Sequence, residues 1–232
     1  MIGEPGRYDP AVFEDQPGGD NEVHWVFLKL RELGLAGRIA YRGVFVCRGE
    51  ALPDPREADA VILGGSYHSV HDDRDWQHLT RRWLDRYRGT GRPLLGICGG
   101  HQMVAALEGA PVAPIAGGAK LAGTLPVRLT EAGRGHFLFA GYGDEPEFHF
   151  ANEEHVAASP KDAILLATRD ELPCAALDHG GHWYSIQFHP EATAESMQVS
   201  WRPTHPEIAA NYWPLPNGSR LLRNFLEGTG IL

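Results

Sequence analysis

Residues 93–102 read Pro93-Leu94-Leu95-Gly96-Ile97-Cys98-Gly99-Gly100-His101-Gln102, and the fold turns on how this stretch is parsed. Pro93 to Ile97 is a short apolar run with the character of a buried strand, and His101 to Leu107 has helical character. Cys98 lies between them. A side chain placed where a strand end turns straight into a helix sits on a sharp bend that pushes it outward, with backbone N–H groups nearby. So tight a bend needs small neighbours, and Gly96, Gly99 and Gly100 supply them. The helix N-terminus that follows favours a thiolate, the reactive form of cysteine. Taken alone, the pattern also fits an inert buried cysteine.

A second motif lies far downstream, Gln187-Phe188-His189-Pro190-Glu191. In an extended segment, residues two apart point to the same side. His189 and Glu191 are therefore placed to work together, the carboxylate orienting an imidazole that takes the thiol proton. Cys98, His189 and Glu191 form the sharpest chemical hypothesis in the chain. A third motif, Ile62-Leu63-Gly64-Gly65-Ser66, ends an apolar strand over Ala58 to Leu63 and is followed by Ser69-Val70 and Asp72-Asp73. Backbone N–H groups at such a strand end could stabilise the oxyanion formed when a thiolate adds to an amide carbonyl. A plain turn is the alternative reading of this motif by itself.

These three motifs, in this order and spacing, resemble the class I (triad-type) glutamine amidotransferase family, in particular its stand-alone, GMP-synthase-like amidotransferase domains. The resemblance runs from about residue 36 to 191 and again over 217–227. It implies a Cys98–His189–Glu191 triad, with oxyanion donors at the N–H of Gly65 and Gly99 and glutamine bound with the help of Gln102 and Ser66. It also implies ammonia passed to a synthetase domain or subunit. No Gly-rich Lys-Ser/Thr phosphate loop is present, so ATP-driven amidation would fall to another protein. No cofactor and no metal are expected. His68, His71, Asp72 and Asp73 match no standard ligand spacing and read as polar loop residues.

Composition sets wider bounds. The 232 residues are 43% hydrophobic, enough for one substantial core, and a single domain over 1–232 is expected. A formal charge of −9 argues against nucleic acid or an anionic membrane as partner. Cys47, Cys98 and Cys174 are too widely spaced for a disulfide framework or zinc site. No apolar run suits a signal peptide or a membrane span, so a reducing, cytoplasmic setting is expected, where a free thiol survives.

Along the chain, residues 1–20 read as a loop or extended arm rich in Gly, Pro and Asp. Asp20 or Asn21 caps a helix with Val23, Val26, Phe27, Leu30 and Leu33 at helical spacing, closed by Gly34. Arg38 to Arg48 reads as a strand, with Cys47 a packing residue. Residues 74–88 form an amphipathic helix with Trp76, Leu79, Trp83, Leu84 and Tyr87 inward. The layout is α/β: a mostly parallel central sheet flanked by helices, flavodoxin-like, with a nucleophile elbow. An antiparallel portion follows, with strands over Gly123 to Thr130, Glu147 to Phe150, Ala163 to Thr168, and a hairpin of Cys174 to Leu177 with His182 to Phe188.

His149, Asn152, Glu153, Glu154 and His155 read as a solvated strand end. Residues 192–216 read as an inserted loop whose Trp201, Arg202, Tyr212 and Trp213 suggest contact, either shielding the active site, docking a partner, or packing on its own domain. Leu221, Leu222, Phe225 and Leu226 mark a final amphipathic helix. The functional expectation is a glutaminase that supplies ammonia to a partner synthetase or acceptor enzyme. The alternatives are a stand-alone γ-glutamyl hydrolase acting on a small metabolite, and an inactive binding protein.

Overall fold

The computed structural model describes Gly19 and residues 21–232, so the arm expected over 1–20 lies, apart from Gly19, outside the described residues. Helix α1 (Glu22–Glu32) starts where Asn21 accepts a hydrogen bond from the His24 N–H, and the chain leaves it through Gly34 at φ +73. No strand forms over 38–48. That segment is irregular up to a 3-10 turn at Val46–Arg48, because the Phe45 N–H, a donor the strand would need, goes to the Glu50 carboxylate at 2.8 Å.

The chain then alternates in the α/β manner through β1 (Val61–Leu63), α2 (Asp75–Arg88), β2 (Leu94–Ile97) and α3 (Gly99–Leu107). Next come β3 (Val112–Pro114), β4 (Leu121–Pro126), β5 (Arg128–Leu129), α4 (Glu131–Gly135), β6 (Glu147–Asn152) and β7 (Glu154–Val156). The antiparallel strands β8 (Ile164–Arg169), β9 (Leu172–Asp178) and β10 (Trp183–Ile186) follow, then α5 (Ala194–Trp201), α6 (Pro206–Ala209) and α7 (Arg220–Gly228).

Among the described residues the main sheet has six strands in the order β1-β2-β10-β9-β8-β5. It is parallel where it carries the site, β1 with β2 and β2 with β10, and antiparallel from β10 outward. The added antiparallel portion is thus continuous with the parallel part. The strand expected over Gly123 to Thr130 divides: β4 leaves the main sheet to pair with β6, while β5 pairs with β8.

Side chains of β2 alternate between two cores, as a strand's period of two requires. Leu95 and Ile97 join α1 and α7 through Val26, Leu30, Leu221, Leu222 and Phe225 on one face. Leu94 joins Trp83, Leu84 and Tyr87 of α2, Val104 of α3 and Trp183 of β10 on the other. Both faces are covered, which is why β2 is apolar throughout. Leu79, expected inward, is half exposed on the outer side of α2.

Residues 192–216 differ most from expectation. They contain α5 and α6, and Thr193 caps α5 reciprocally with Ser196. Met197, Val199 and Tyr212 build a third small core with Trp25 of α1. The segment packs on its own chain: the Tyr212 hydroxyl donates to the Phe150 carbonyl, and the Thr124 N–H donates to the Asn211 carbonyl at 2.9 Å.

Candidate active site

Strand register brings the three motifs together. Leu63 pairs with Gly96 and Ile186 with Ile97, so the C-terminal end of β2 lies between those of β1 and β10. Gly64–Ser66 therefore flanks Cys98 on one side and Gln187–Glu191 on the other. Crevices at the carboxyl ends of strands are where such sheets bind ligands.

Cys98 has φ 51 and ψ −107, a conformation costly for a residue with a side chain. Its N–H is held by the Ile186 carbonyl at 2.8 Å, and its carbonyl accepts the Gln102 N–H at 3.0 Å, so strand and helix fix the bend from both sides. The following glycines are required by close approach. A Cβ on Gly100 would lie 2.1 Å from the Leu63 carbonyl oxygen, and one on Gly99 would lie 2.7 Å from the Ser66 nitrogen.

Cys98 and His189 are each 6% exposed and Glu191 1%. The His189 Nδ1 lies 2.6 Å from Glu191 Oε1. Since a carboxylate oxygen accepts, Nδ1 carries the hydrogen and Nε2 is the atom left for the thiol. Burial opposes a charge on His189, but the Glu191 carboxylate and then Cys98 outweigh it, holding the imidazole well above its ordinary range. The His189 N–H donates to the His149 carbonyl at 2.9 Å. His149 is buried, and its Nδ1 lies 3.0 Å from the Thr124 hydroxyl, which accepts the Trp213 N–H.

Gln102 is buried rather than open to a ligand on all sides. Its amide donates to the Glu154 carbonyl at 2.8 Å and to Gln187 Oε1 at 3.2 Å, and the Gln187 amide lies 3.6 Å from the Cys98 sulfur. The Ser66 hydroxyl accepts the His68 N–H at 2.9 Å, and Gly65 donates its N–H to Glu22 Oε2 at 2.8 Å. The polar loop after it is internally bonded, with His68 Nδ1 3.0 Å from Asp72 and His71 Nε2 3.0 Å from the Val112 carbonyl.

The stretch read as a solvated strand end is solvated only in part, at the exposed Glu153. His149 and Asn152 are buried, and the Glu154 carboxylate accepts the Ser69 hydroxyl at 3.0 Å. Neither Gln187 nor Glu22 is assigned a role by sequence reasoning. Gln187 carries a signal, lying two residues before His189 on the same side of an extended segment. Glu22 carries none beyond being an acidic residue in a helix's first turn. Cys174 is buried and its thiol is pushed up to about 11 by that burial, in keeping with a packing role.

Residues 44–201 match the model of the family described as glutamine amidotransferase class-I. The chain belongs to that family. It is 30% identical over 186 residues to a glutamine-hydrolysing GMP synthase of Aeropyrum pernix, covering 76% of this chain and 33% of that one. It is 28% identical over 193 residues to the glutamine amidotransferase-like protein YfeJ of Salmonella typhimurium, covering 78% of this chain and 75% of that one. The amidotransferase thus spans about a third of the length of the GMP synthase and most of the length of YfeJ. The crystal structure of a glutamine amidotransferase from Thermotoga maritima shares its fold, with TM-score 0.70 at 19% identity over 86% of this chain and 90% of that one. Among the described residues no helix is long and apolar enough to cross a membrane.

Proposed function

We propose that this class I amidotransferase hydrolyses the side-chain amide of glutamine through Cys98, His189 and Glu191. The observation that carries the reading is the buried imidazole held between the Glu191 carboxylate and Cys98, at a cysteine forced into a positive-φ elbow. His189 Nε2 takes the thiol proton, and the sulfur adds to the amide carbon. The oxyanion is held by the backbone N–H groups of Gly99 and Gly65, the latter once it leaves the Glu22 carboxylate that accepts it at 2.8 Å in this structure. His189 returns its proton to the departing nitrogen, ammonia leaves, and a γ-glutamyl thioester remains on Cys98. Water, deprotonated by the same imidazole, then cleaves the thioester and releases glutamate. Gln187 steadies the sulfur, and Gln102 and Ser66 help bind the glutamine.

The ammonia goes to a partner synthetase or acceptor enzyme, in a cytoplasmic setting. The relative matched over 33% of its length is a glutamine-hydrolysing synthase, which supports an acceptor for the ammonia. Cys98→Ala is expected to lower glutamine hydrolysis by at least about a thousandfold. Full activity in that variant would refute the assignment. A cognate synthetase added to the protein should raise the glutaminase rate. Faster turnover of γ-glutamyl amines than of glutamine would instead identify a γ-glutamyl hydrolase.

A further inference from the structure

A buried cluster outside the site joins α3 to β10 by hydrogen bonds whose directions can be fixed one at a time. His101 Nε2 lies 3.0 Å from the Cys174 carbonyl, which only accepts, so Nε2 carries a hydrogen. His101 Nδ1 lies 2.7 Å from the Ser185 hydroxyl, and His179 Nε2 lies 2.6 Å from that same hydroxyl. His179 Nδ1 lies 2.6 Å from Glu108 Oε2, while the other Glu108 oxygen accepts from the Arg88 guanidinium. Carboxylate, imidazole and hydroxyl in this order have the form of a hydrolytic triad. Ser185 is fully buried, however, so no substrate reaches it, and its hydroxyl faces His101 instead.

Ser185 has one hydrogen to give and an imidazole on either side. One ring must therefore donate to it, and that ring carries both hydrogens, because the other nitrogen of each already donates to the Cys174 carbonyl or the Glu108 carboxylate. Burial lowers His101 to about 3, so His101 is the neutral ring. Burial opposes a charge on Glu108, but the bonds and charges of His179 and Arg88 outweigh it and hold that carboxyl below its ordinary range. The hydroxyl thus donates to His101 and accepts from His179, whose side chain is 0% exposed and whose charge Glu108 answers. His101 stands in the first turn of α3 and Glu108 is its C-cap, so the two ends of the helix meet one imidazole. Ser185 pairs with Gly96 of β2 and precedes Ile186, whose carbonyl holds the Cys98 N–H at 2.8 Å.

We propose that His179, carrying both ring hydrogens, is a positioning residue for the glutaminase elbow. It clamps α3 to β10 at both ends, through Glu108 at one and through Ser185 and His101 at the other. The proposal rests on the function assigned above. Without the clamp α3 can shift along β10, and Cys98 at its N-terminal end then moves relative to His189, into which β10 leads.

Heteronuclear NMR of the full chain near neutral pH should show hydrogen on both His179 ring nitrogens. In Glu108→Gln the amide can donate to Nδ1 while its oxygen stays with Arg88, so Nδ1 should be bare and the clamp intact. Ser185→Ala cuts the clamp in its middle and Glu108→Ala at the helix end. Both should lower kcat for glutamine roughly tenfold, with KM changed less than about twofold. Both should also slow the alkylation of Cys98 by iodoacetamide, which reads the thiolate without any glutamine turnover. Glu108→Gln should restore both rates. A bare ring nitrogen on His179 in the wild type would overturn the proposal, and so would a folded Glu108→Ala protein with wild-type kcat and alkylation rate. A wild type that hydrolyses no glutamine, with alkylation slowed in Glu108→Ala and restored in Glu108→Gln, would sink the glutaminase reading alone.

Discussion

Cys98 keeps its strained conformation because its surroundings leave no alternative, and Gly100 is the residue that makes those surroundings possible. The atoms a new Cβ would meet there belong to the Leu63 backbone, at 2.1 and 2.9 Å, and a β-strand backbone does not swing aside as a flexible side chain does. Gly100→Ala should therefore separate α3 from β1 and carry the Gly65 turn away from Cys98. Overpacking of this kind costs about 1–3 kcal/mol, and misplacing an active-site group by about 1 Å can cost about a hundredfold in rate. Gly37→Ala, where a Cβ meets nothing within 4 Å, is the control and should be silent in melting temperature and activity. A Gly100→Ala protein as active as the control would show that the elbow tolerates the wider spacing. The elbow was legible in the sequence because its requirements are local, a strand, a bend and small residues. The bond from Gly65 to Glu22 was not legible, because it depends on how α1 packs across 43 positions, and a helix's first turn already favours an acid.

At the scale of elements, α5, α6 and the turn after them serve as a buttress for the strand that holds His189. Tyr212 is the centre of it. Its hydroxyl donates to the Phe150 carbonyl of β6 and accepts the Trp201 indole N–H at 3.0 Å, while its own carbonyl accepts the Gln198 amide at 2.7 Å. One residue further on, the Trp213 N–H reaches Thr124, next to His149, whose carbonyl holds the His189 N–H. Tyr212→Phe keeps the ring in the small core but strands the Phe150 carbonyl and the Trp201 N–H. The expected loss is roughly 1–3 kcal/mol, read by urea unfolding. An unchanged midpoint would mean that the buttress is ornamental. The aromatics and Arg202 of this segment pointed to contact; Trp201 and Tyr212 make it within the chain, whereas Arg202 is exposed. Its helices were hidden, since α5 owes its start to the Thr193–Ser196 cap and its burial to partners distant in sequence. The strand expected over 38–48 failed for the converse reason: its alternation is real, but Glu50 takes a donor the ladder needed.

For the molecule as a whole, the buried histidines set how stability depends on pH. His101 is fully buried between the Ser185 hydroxyl at 2.7 Å and the Cys174 carbonyl at 3.0 Å, and its burial lowers its pKa to about 3. Burial likewise lowers His149 to about 4. Once unfolded, both titrate near 6.5, so below that value the unfolded chain binds protons that the native state refuses. Their contribution is complete above 6.5 and is lost as pH falls toward 4 and 3. His189 acts with the opposite sign. Held well above 6.5, it contributes stability below that value and loses it as pH rises through its native pKa. The unfolding free energy should thus fall on both sides of neutrality. On the acid side each proton taken up on unfolding gives a slope of about 1.4 kcal/mol per pH unit. His149→Gln keeps a hydrogen-bonding partner for Thr124 and removes one titrating group, so near about pH 5 its slope should be shallower by about one proton. Identical acid slopes for the variant and the wild type in urea titrations would show that His149 takes up its proton in the folded protein as readily as in the unfolded chain.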